Sequence, residues 1–579
     1  MTDVAPAEGR VRAMLRIGGA YWRSERKATI RTMSLLLFVL TVAQVGLSVW
    51  GNYWNRRLFD ALEAHSVHRV LIQAGVFALI FASAIVVTAA HLIVKRWLQL
   101  DWRAWLTERL IGSWLEGGRH YRLAFRPGEH DNPDQRIAEN IHLATDLAIE
   151  LLHTLVFSIL SLVSYVDILW SVSGTMAVPG TSLNVPGYMV PLAFLYAGVG
   201  ALLGRLLGRP LVRTTNALQS AEADYRFGLA HVREHAEAVA LMRGEPIERR
   251  SASRRFSEIT RKFDRQSIAY MGLTSFETAY GELMPVFPLL IAAPQYILGA
   301  MSLGVLMQAA QAFQRLAWAL SWPVSNVGVI AECRASAERV LSLYQDLQRL
   351  DAETRAERGE RIALERDAPC IEIDALRIIA PDGVTVLDHL DATIEAGEHV
   401  HVTGDPYLTS ALFKVLGGLW SDGRGRVRLP ADETTSFVAQ RPFFPDGTLR
   451  DALCYPRPAD AFTDDAIRAA LARAGLEWLA ARLDATEKWE QSLSLPAQQR
   501  LSFARVLLHR PAWVMMEEAT SAFDPSTERQ LIEAVFHALP RTAWVAFGVH
   551  PLGDRLFDRK IVLASTRPPT PGRERKIEP

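Results

Sequence analysis

Long stretches without a charged residue alternate with long charged stretches over the first 330 residues of the chain. Positions 32–55 and 70–94 contain no Asp, Glu, Lys or Arg, and a helix crosses a membrane with about 20 apolar residues. The same pattern predicts spans at 148–171 and 187–206. Residues 283–314 predict a fifth span, a short turn and the start of a sixth. The pattern therefore predicts an all-α six-helix transmembrane domain.

Two charged segments, about 95–147 and 207–280, separate these runs and contain few Pro or Gly residues. We predict that the spans continue through them as helices beyond the membrane. In the first segment, DNPDQRIAEN at 131–140 predicts a short helix, because Asp or Asn can cap it and Pro133 suits its first turn. The second segment is predicted to be helical up to Gly244.

Basic residues lie on one side of the predicted spans, whereas the loop between the third and fourth spans has no charge. By the positive-inside rule, both termini are predicted to be cytoplasmic. A soluble bundle of buried helices is the alternative, and five or six long uncharged runs disfavour it. The residues that set this bias are Arg10, Arg12, Arg16, Arg23, Arg26, Lys27, Arg31, Lys95, Arg96, Arg205, Arg209 and Arg213.

Length, charge and cysteine content further restrict the possible domain organisation and binding partners. A chain of 579 residues exceeds one hydrophobic core and predicts at least two domains. Lys and Arg (63) balance Asp and Glu (63), so a large nucleic-acid surface is not favoured and no nucleic-acid partner is predicted. Cys333, Cys370 and Cys454 are scattered, which indicates neither a disulfide framework nor a zinc site.

The second half of the chain alternates strand and helix patterns, which predicts an α/β domain. A charged, Gly-poor stretch before it predicts a surface linker. We therefore divide the chain into a cytoplasmic N-terminal segment (1–31), a transmembrane domain (32–344), a linker (345–369), an α/β domain (370–565) and a C-terminal tail (566–579).

The stretch Leu493–Pro525 carries the most chemistry. It runs from a polar loop through an Arg-bearing amphipathic helix to the apolar run Trp513–Met516, which predicts a buried strand. Glu517 and Glu518 follow that strand, at the edge where parallel sheets place ligand chemistry. In this order the pieces resemble the signature motif, Walker B strand and D-loop of an ABC transporter ATPase.

Three further motifs make the resemblance more particular: YWNRRLFDAL at 53–62, DNPDQRIAEN at 131–140 and EADYRFGLAHVREHAEAVALMRGE at 222–245. They resemble half-transporters of the SbmA/BacA-like, YddA-type and subfamily D group, over about residues 20–565. The resemblance implies an exporter-type transmembrane domain followed by an α/β P-loop-type nucleotide-binding domain. It also implies a homodimer or heterodimer in the lipid bilayer of the inner (plasma) membrane that moves a solute such as a peptide, lipid-like or vitamin-like compound.

The resemblance further implies which residues would handle ATP and Mg²⁺. Glu518 matches the general base that orients the attacking water, Gln440 the Q-loop glutamine and His550 the switch histidine. The implied nucleotide-binding residues are Gly404, Thr409, Ser410, Ser494, Gln498 and Asp524, and the implied Mg²⁺ ligands are Ser410, Gln440 and Glu517.

Two departures from the pattern affect the phosphate contacts. A working phosphate loop reads GxxxxGK followed by Ser or Thr, and its glycines, lysine and hydroxyl hold phosphate and Mg²⁺. Residues 404–414 read GDPYLTSALFK, with one residue missing, the inner glycines absent and Thr409 at the lysine position. Pro496 replaces the signature glycine and has no N–H to offer. The sequence therefore predicts impaired ATP hydrolysis.

Two alternatives to an ATP-driven transporter stay open: a pseudo-ATPase permease driven by an ion gradient, and a non-transporting regulatory or heterodimer subunit. Within the predicted sixth span, Gln308, Gln311 and Arg315 are three and four residues apart and share one helical face. Polar groups in a membrane helix generally face a pathway or the bundle interior, so we predict a substrate-lining face. The alternative is that the glutamines bond to neighbouring helices and Arg315 snorkels.

Overall fold

The computed structural model describes residues 18–124, 132–177, 184–356, 361–380, 383–548 and 556–564. The chain forms two compact units. Residues 1–116 and 127–346 form the first, and residues 117–126 and 347–579 form the second. The first residues of the predicted linker are helical, because the helix Val327–Ala356 includes them.

The first unit is built almost entirely from helices. Between its long helices, two three-residue strands, β1 (Thr175–Ala177) and β2 (Asn184–Pro186), pair antiparallel. In chain order the helices are α1 (Lys27–Glu63), α2 (Val67–Leu115), α3 (Arg119–Ala124, in the second unit), α4 (Pro133–Gln135), α5 (Ile141–Val172), α6 (Met189–Glu234), α7 (Ala236–Leu241), α8 (Glu245–Ile297), α9 (Leu303–Ser325) and α10 (Val327–Ala356).

Among the described residues, four helical stretches are long and apolar enough to cross a membrane: Lys27–Glu63, Val67–Ala124, Pro133–Val172 and Met189–Glu234. They contain the first four predicted spans. The predicted fifth and sixth spans lie in α8 and α9, which are separated by a turn. Three prolines in α8, and polar residues in α9 such as Gln308 and Arg315, make these helices less apolar. Outward-facing apolar residues such as Leu35 and Val86 are exposed, as expected of a surface made for lipid.

The helices extend well beyond the apolar runs, as predicted for the two charged segments. Two local details differ from the sequence-based expectation. Pro133 does begin a short helix, but the preceding Asn132 has a left-handed backbone and its side chain makes no capping hydrogen bond. The helix predicted to continue to Gly244 breaks at His235 and resumes as α7, which ends at Leu241.

The second unit combines two five-stranded sheets and the short antiparallel pair of Gly447–Thr448 with Thr486–Glu487 with helices. Its strands are β3 (Ala363–Glu365), β4 (Ile371–Ile379), β5 (Thr385–Leu387), β6 (Ala392–Ile394), β7 (His399–Gly404), β8 (Gly423–Arg428), β9 (Thr435–Val438), β10 (Gly447–Thr448), β11 (Thr486–Glu487), β12 (Trp513–Glu517), β13 (Ala543–Phe547) and β14 (Arg559–Leu563). Its further helices are α11 (Pro406–Leu416), α12 (Leu449–Cys454), α13 (Asp464–Arg473), α14 (Trp489–Ser492), α15 (Leu495–His509) and α16 (Pro525–Ala538).

One five-stranded sheet is parallel throughout, in the order β14-β7-β13-β12-β9. The other is ordered β3-β8-β4-β5, with β6 on β4 and mostly antiparallel pairing. All five residues of β13 are buried, as is expected of a central parallel strand covered on both faces. The predicted α/β architecture of this half is confirmed, and its parallel sheet fixes where the candidate site lies.

Candidate functional site

Three predicted site segments leave one edge of the parallel sheet. The phosphate-loop segment follows β7, Glu517 ends β12 with Glu518 directly after it, and Gln440 follows β9. Because all these strands are parallel, their carboxyl ends lie on the same side. Only β13 separates β7 from β12, so these two strand ends are about 10 Å apart at the usual strand spacing. The fold therefore gathers these segments where ligands bind in such sheets.

The segment between β7 and α11 is a single residue, Asp405. The strand ends at Gly404 and the helix begins at Pro406, so no loop is present to wrap around a phosphate. The Asp405 carboxylate accepts the Tyr407 N–H at 2.9 Å. The Asp405 carbonyl accepts the N–H of Thr409 at 3.0 Å. The first donors of α11, which would otherwise face an anion, are thus satisfied within the chain.

The other residues of this segment also serve the fold. Thr409, at the lysine position, is buried, and its hydroxyl donates to the Pro406 carbonyl at 3.1 Å. Ser410 is half-buried on the same helix. A Cβ on Gly404 would lie 2.7 Å from the Leu563 carbonyl oxygen, so the neighbouring strand β14 is sufficient reason for the glycine.

These residues do not fit the phosphates of a nucleotide. Asp405 brings negative charge to the helix terminus where phosphate would need positive charge. Neither the glycine-lined cradle nor the lysine of a phosphate loop is present between Gly404 and Ser410. We therefore derive no chemical step through ATP or Mg²⁺ at this segment.

The two glutamates lie at the end of β12. Glu517 pairs with Phe547 of β13, and Glu518 donates its N–H to the Phe547 carbonyl at 3.0 Å. Glu518 has a positive φ of 46°, which is uncommon for a residue other than glycine and is frequent at functional sites. A Cβ on Gly548 would lie 2.9 Å from the Glu518 carboxylate, so this glycine leaves room for it. His550, the predicted switch histidine, lies outside the described residues.

Gln440 belongs to a small amide network that sequence reasoning did not find. The buried Gln499 on α15 donates to the Gln440 carbonyl at 3.0 Å and to the Ser521 hydroxyl at 3.2 Å. The Gln499 side-chain oxygen accepts the Ala522 N–H at 3.1 Å. Gln440 itself reaches the Ser521 hydroxyl at 3.3 Å. Gln499 therefore ties the segment that follows β9 to the turn at Ser521 and Ala522.

A signal for Gln499 was present in the sequence. Ser502, Phe503 and Val506 are buried on the same side of α15, three, four and seven residues further on. A glutamine in such a stripe needs buried hydrogen-bond partners, because an unpaired buried amide is costly.

Replacing Gln499 by leucine should lower the free energy of unfolding of the second unit by about 2 kcal/mol. The expected loss follows because the Gln440 carbonyl and the Ala522 N–H lose a buried partner, at about 1–3 kcal/mol per unsatisfied group. Chemical denaturation followed by tryptophan fluorescence measures it. The control is Gln491→Leu at an exposed position, and an equal loss in both variants would contradict the proposed role of Gln499.

The predicted signature residues lie at the start of α15. Ser494 is exposed and holds the N-cap position without a side-chain capping bond, and Pro496 occupies the first turn. The Gln498 amide donates to the backbone carbonyls of Glu490 and Leu493, both at 2.8 Å. Gln498, predicted to contact the cofactor, thus fixes the shape of its own loop.

Asp524 is the N-cap of α16. Its carboxylate accepts the N–H groups of Ser526 and Thr527 at 3.0 and 3.1 Å, and also their hydroxyls. These hydrogen bonds hold the pKa of the Asp524 carboxyl well below its usual range. The carboxylate is accordingly engaged with its own helix.

Arg505 is a second residue that sequence reasoning missed. Its half-buried guanidinium donates to the Phe443 carbonyl at 3.2 Å and to the Ala452 carbonyl at 3.1 Å, and lies over the Phe444 and Tyr455 rings. Burial lowers the pKa of Arg505 to about 10, still far above neutral pH. Arg505 thereby fixes the segment that follows Gln440.

In the first unit, the predicted substrate-lining residues meet α1. Asn52 and Gln308 are fully buried. The Asn52 amide donates to the Gln311 side chain at 3.0 Å, and the Gln308 amide donates to Asn52 at 3.1 Å. Asn55 donates to Gln311 at 3.4 Å. We call these four residues the amide cluster. Arg315 is half-buried on α9 outside this cluster, with its guanidinium 5.6 Å from the centre of the Trp318 ring.

The same two helices are joined at the start of α9. The Asp60 carboxylate accepts the Ser302 hydroxyl at 2.6 Å and the Gly304 N–H at 3.1 Å, and Glu63 accepts the Leu303 N–H at 3.0 Å. Carboxylates at a helix N-terminus satisfy its free donors and complement its dipole. The YWNRRLFDAL segment therefore supplies polar contacts to α9 at both the amide cluster and the helix start.

Comparison with known proteins agrees with this architecture. The family described as ABC transporter transmembrane region 2 matches residues 24–297. The inner membrane ABC transporter ATP-binding protein YddA of Escherichia coli (strain K12) is 27% identical over 558 residues, covering 94% of this chain and 96% of YddA. ABC transporter D family member 2, chloroplastic, of Arabidopsis thaliana is 26% identical over 625 residues, covering 96% of this chain and 86% of that relative.

The fold also has a counterpart among solved structures. A bacterial Atm1-family ABC exporter with ATP bound superposes with a TM-score of 0.69 and 16% identity, covering 93% of this chain and 94% of the exporter. At that identity the likeness concerns the fold alone. The family match and the relatives along nearly the whole chain confirm the predicted resemblance to ABC half-transporters, with YddA and a member of ABC subfamily D among the similar proteins.

Proposed function

We propose that this protein is a dimeric solute transporter whose second unit is a pseudo-ATPase, a domain that supports the transporter without productive ATP hydrolysis. The observation that carries the proposal is the Asp405 cap, which uses the donors of α11 that phosphate would need. Exporters of this fold work with two nucleotide domains, so either a second copy or another half-transporter completes the assembly.

The expected energetic effect is large. A hydrogen bond to a charged group is worth about 1.5–3 kcal/mol, and both the lysine and the loop N–H contacts are missing here. Losing only two such bonds weakens binding roughly a hundredfold or more. The signature helix offers no compensation, since Pro496 lacks the N–H that would face the partner's phosphate. Retained Glu518 and Gln440 then have no well-held phosphate to act on.

We place the transporter in the inner membrane with both termini cytoplasmic, because the basic residues cluster on one side of the apolar helices. Arg315 is the strongest remaining candidate for a residue facing the transported solute, since it lies outside the amide cluster. A positive charge there favours a solute with a polar or anionic part, such as a peptide or a vitamin-like compound.

An ion gradient is the second candidate energy source, and one feature favours it. The rings of His91 and His153, on α2 and α5, lie 4.1 Å apart, and neither His153 nitrogen has a protein hydrogen-bond partner. One turn away, Lys95 and Glu150 form an ion pair at 2.6 Å on the same two helices. Titratable groups stacked between two membrane helices are typical of proton pathways.

The purified protein in lipid nanodiscs should release no phosphate from Mg-ATP above the rate of its Glu518→Gln variant. The expectation follows because removing the general base cannot slow a hydrolysis that the phosphate loop does not support. Phosphate release is measured for the wild type and for the Glu518→Gln variant. Solute uptake is measured with and without an uncoupler. Turnover abolished by Glu518→Gln would refute the pseudo-ATPase proposal. Uptake that survives the uncoupler would refute the ion-gradient source.

A further inference from the structure

Three metal-ligating side chains meet at the end of α6. His231, Glu234 and His235 belong to the segment HVREH, and spacings of three and four place them on one helical face. Their ligand atoms all lie within 4.8 Å of one another. The two imidazole rings have their centres 4.5 Å apart. Small rotamer adjustments would bring all three atoms onto one ion.

The three residues lie at the point where α6 ends and α7 begins. α6 ends at Glu234, and α7 begins at Ala236, so His235 is the only residue between the two helices. His235 donates its N–H to the His231 carbonyl at 3.1 Å, and its own carbonyl accepts the Val239 N–H at 3.0 Å. Its backbone, with φ −105° and ψ 28°, departs from helical values. An ion held here would join the last turn of α6 to His235, the residue that connects α6 to α7.

The donor set suits a borderline transition metal. Two imidazoles with one carboxylate are a recognised ligand set for Zn²⁺, which leaves a fourth position for water or another ligand. Hard cations such as Mg²⁺ prefer oxygen ligands, so the two histidines disfavour them. All three side chains are exposed, so an ion can reach them directly from solvent.

We propose that His231, Glu234 and His235 bind one Zn²⁺ ion, which braces the junction of α6 and α7 at the tip of the second charged segment. The proposal is independent of whether the second unit hydrolyses ATP. The ion would add to the two His235 backbone hydrogen bonds, to the His231 carbonyl and from the Val239 N–H, that already shape this junction.

The first test measures Zn²⁺ binding to the full-length protein in detergent, produced without a histidine tag, by competition with a chromophoric chelator. The wild type should bind one equivalent. His231→Ala and His235→Ala should each weaken binding at least tenfold, and Glu234→Gln by a smaller factor. His68→Ala, at an exposed histidine elsewhere, is the matched control and should bind as the wild type does. Binding that persists unchanged in the His231→Ala/His235→Ala double variant overturns the site.

The second test asks whether the ion braces the junction. Trypsin should cut after the exposed Arg243, just beyond α7, and 1 equivalent of added Zn²⁺ should slow this cut severalfold in the wild type. The rate in His235→Ala should not respond to Zn²⁺. Size-exclusion chromatography and circular dichroism verify that each variant is folded. A cleavage rate that Zn²⁺ does not change in the wild type overturns the bracing role.

Discussion

Rebuilding the phosphate loop should raise the affinity of the second unit for Mg-ATP by at least about a hundredfold. The variant replaces residues 405–409 by six residues of the form xxxxGK, so that Gly404 and Ser410 complete the GxxxxGK-Ser pattern. It removes the Asp405 carboxylate from the start of α11, frees backbone N–H groups to face phosphate, and supplies the missing lysine.

Binding of a fluorescent ATP analogue with Mg²⁺ measures the gain. The matched control carries the same rebuilt loop with alanine in place of its lysine, and it should lose most of the gained affinity. Asp405→Ala alone should cost about 1 kcal/mol of stability as a lost helix cap, without creating binding. Saturable Mg-ATP binding by the unaltered chain at submillimolar concentration would show that the cap does not exclude phosphate.

Replacing Asn52 by leucine should be the most damaging single change in the first unit, with an expected loss of about 2–4 kcal/mol. Asn52 is fully buried and exchanges hydrogen bonds with Gln308 and Gln311 of α9. A hydrogen bond between membrane helices contributes about 0.6 kcal/mol on average. The variant also leaves the buried Gln308 amide without its Asn52 partner, which costs about 1–3 kcal/mol. Thermal unfolding in detergent or nanodiscs measures the loss.

Asn55→Leu is the matched control, because it removes a single longer bond of 3.4 Å from the same cluster and should cost less than about 1 kcal/mol. Arg315→Ala separates a pathway role from a scaffold role. It should impair solute uptake while stability stays near that of the wild type, since Arg315 is not part of the amide cluster. Equal stability of Asn52→Leu and the wild type would show that the cluster does not hold α1 to α9.

The amide cluster also illustrates what a single sequence does not reveal. Helical spacing correctly placed Gln308 and Gln311 on one face, but Asn52 lies 256 residues before Gln308 in the chain. No local pattern pairs residues so far apart. Gln499 differs, because a glutamine within a buried stripe of α15 is a readable local signal. Arg505 shares the same helix, and only the packed structure shows that its guanidinium meets the carbonyls after Gln440.

The phosphate-loop segment shows separately what the sequence establishes and what the tertiary structure adds. The sequence alone establishes that a residue, the inner glycines and the lysine are missing, since these are matters of composition and spacing. The tertiary structure adds that the helix starts at Pro406, that Asp405 fills its first donors and that Gly404 is required by β14. Each of these depends on where a neighbouring strand or helix end lies.

By itself, then, the sequence determined the long apolar helices, the α/β class of the second half and the chemical gaps in the nucleotide motifs. These properties follow from hydrophobic periodicity and residue type, which act over a few neighbouring positions. Only the tertiary structure decided which polar groups are already paired: the Asp405 carboxylate by its own helix, the Gln498 amide by its own loop and the Gln308 amide N–H by Asn52. Hydrogen-bond satisfaction depends on partners that folding brings together from distant parts of the chain.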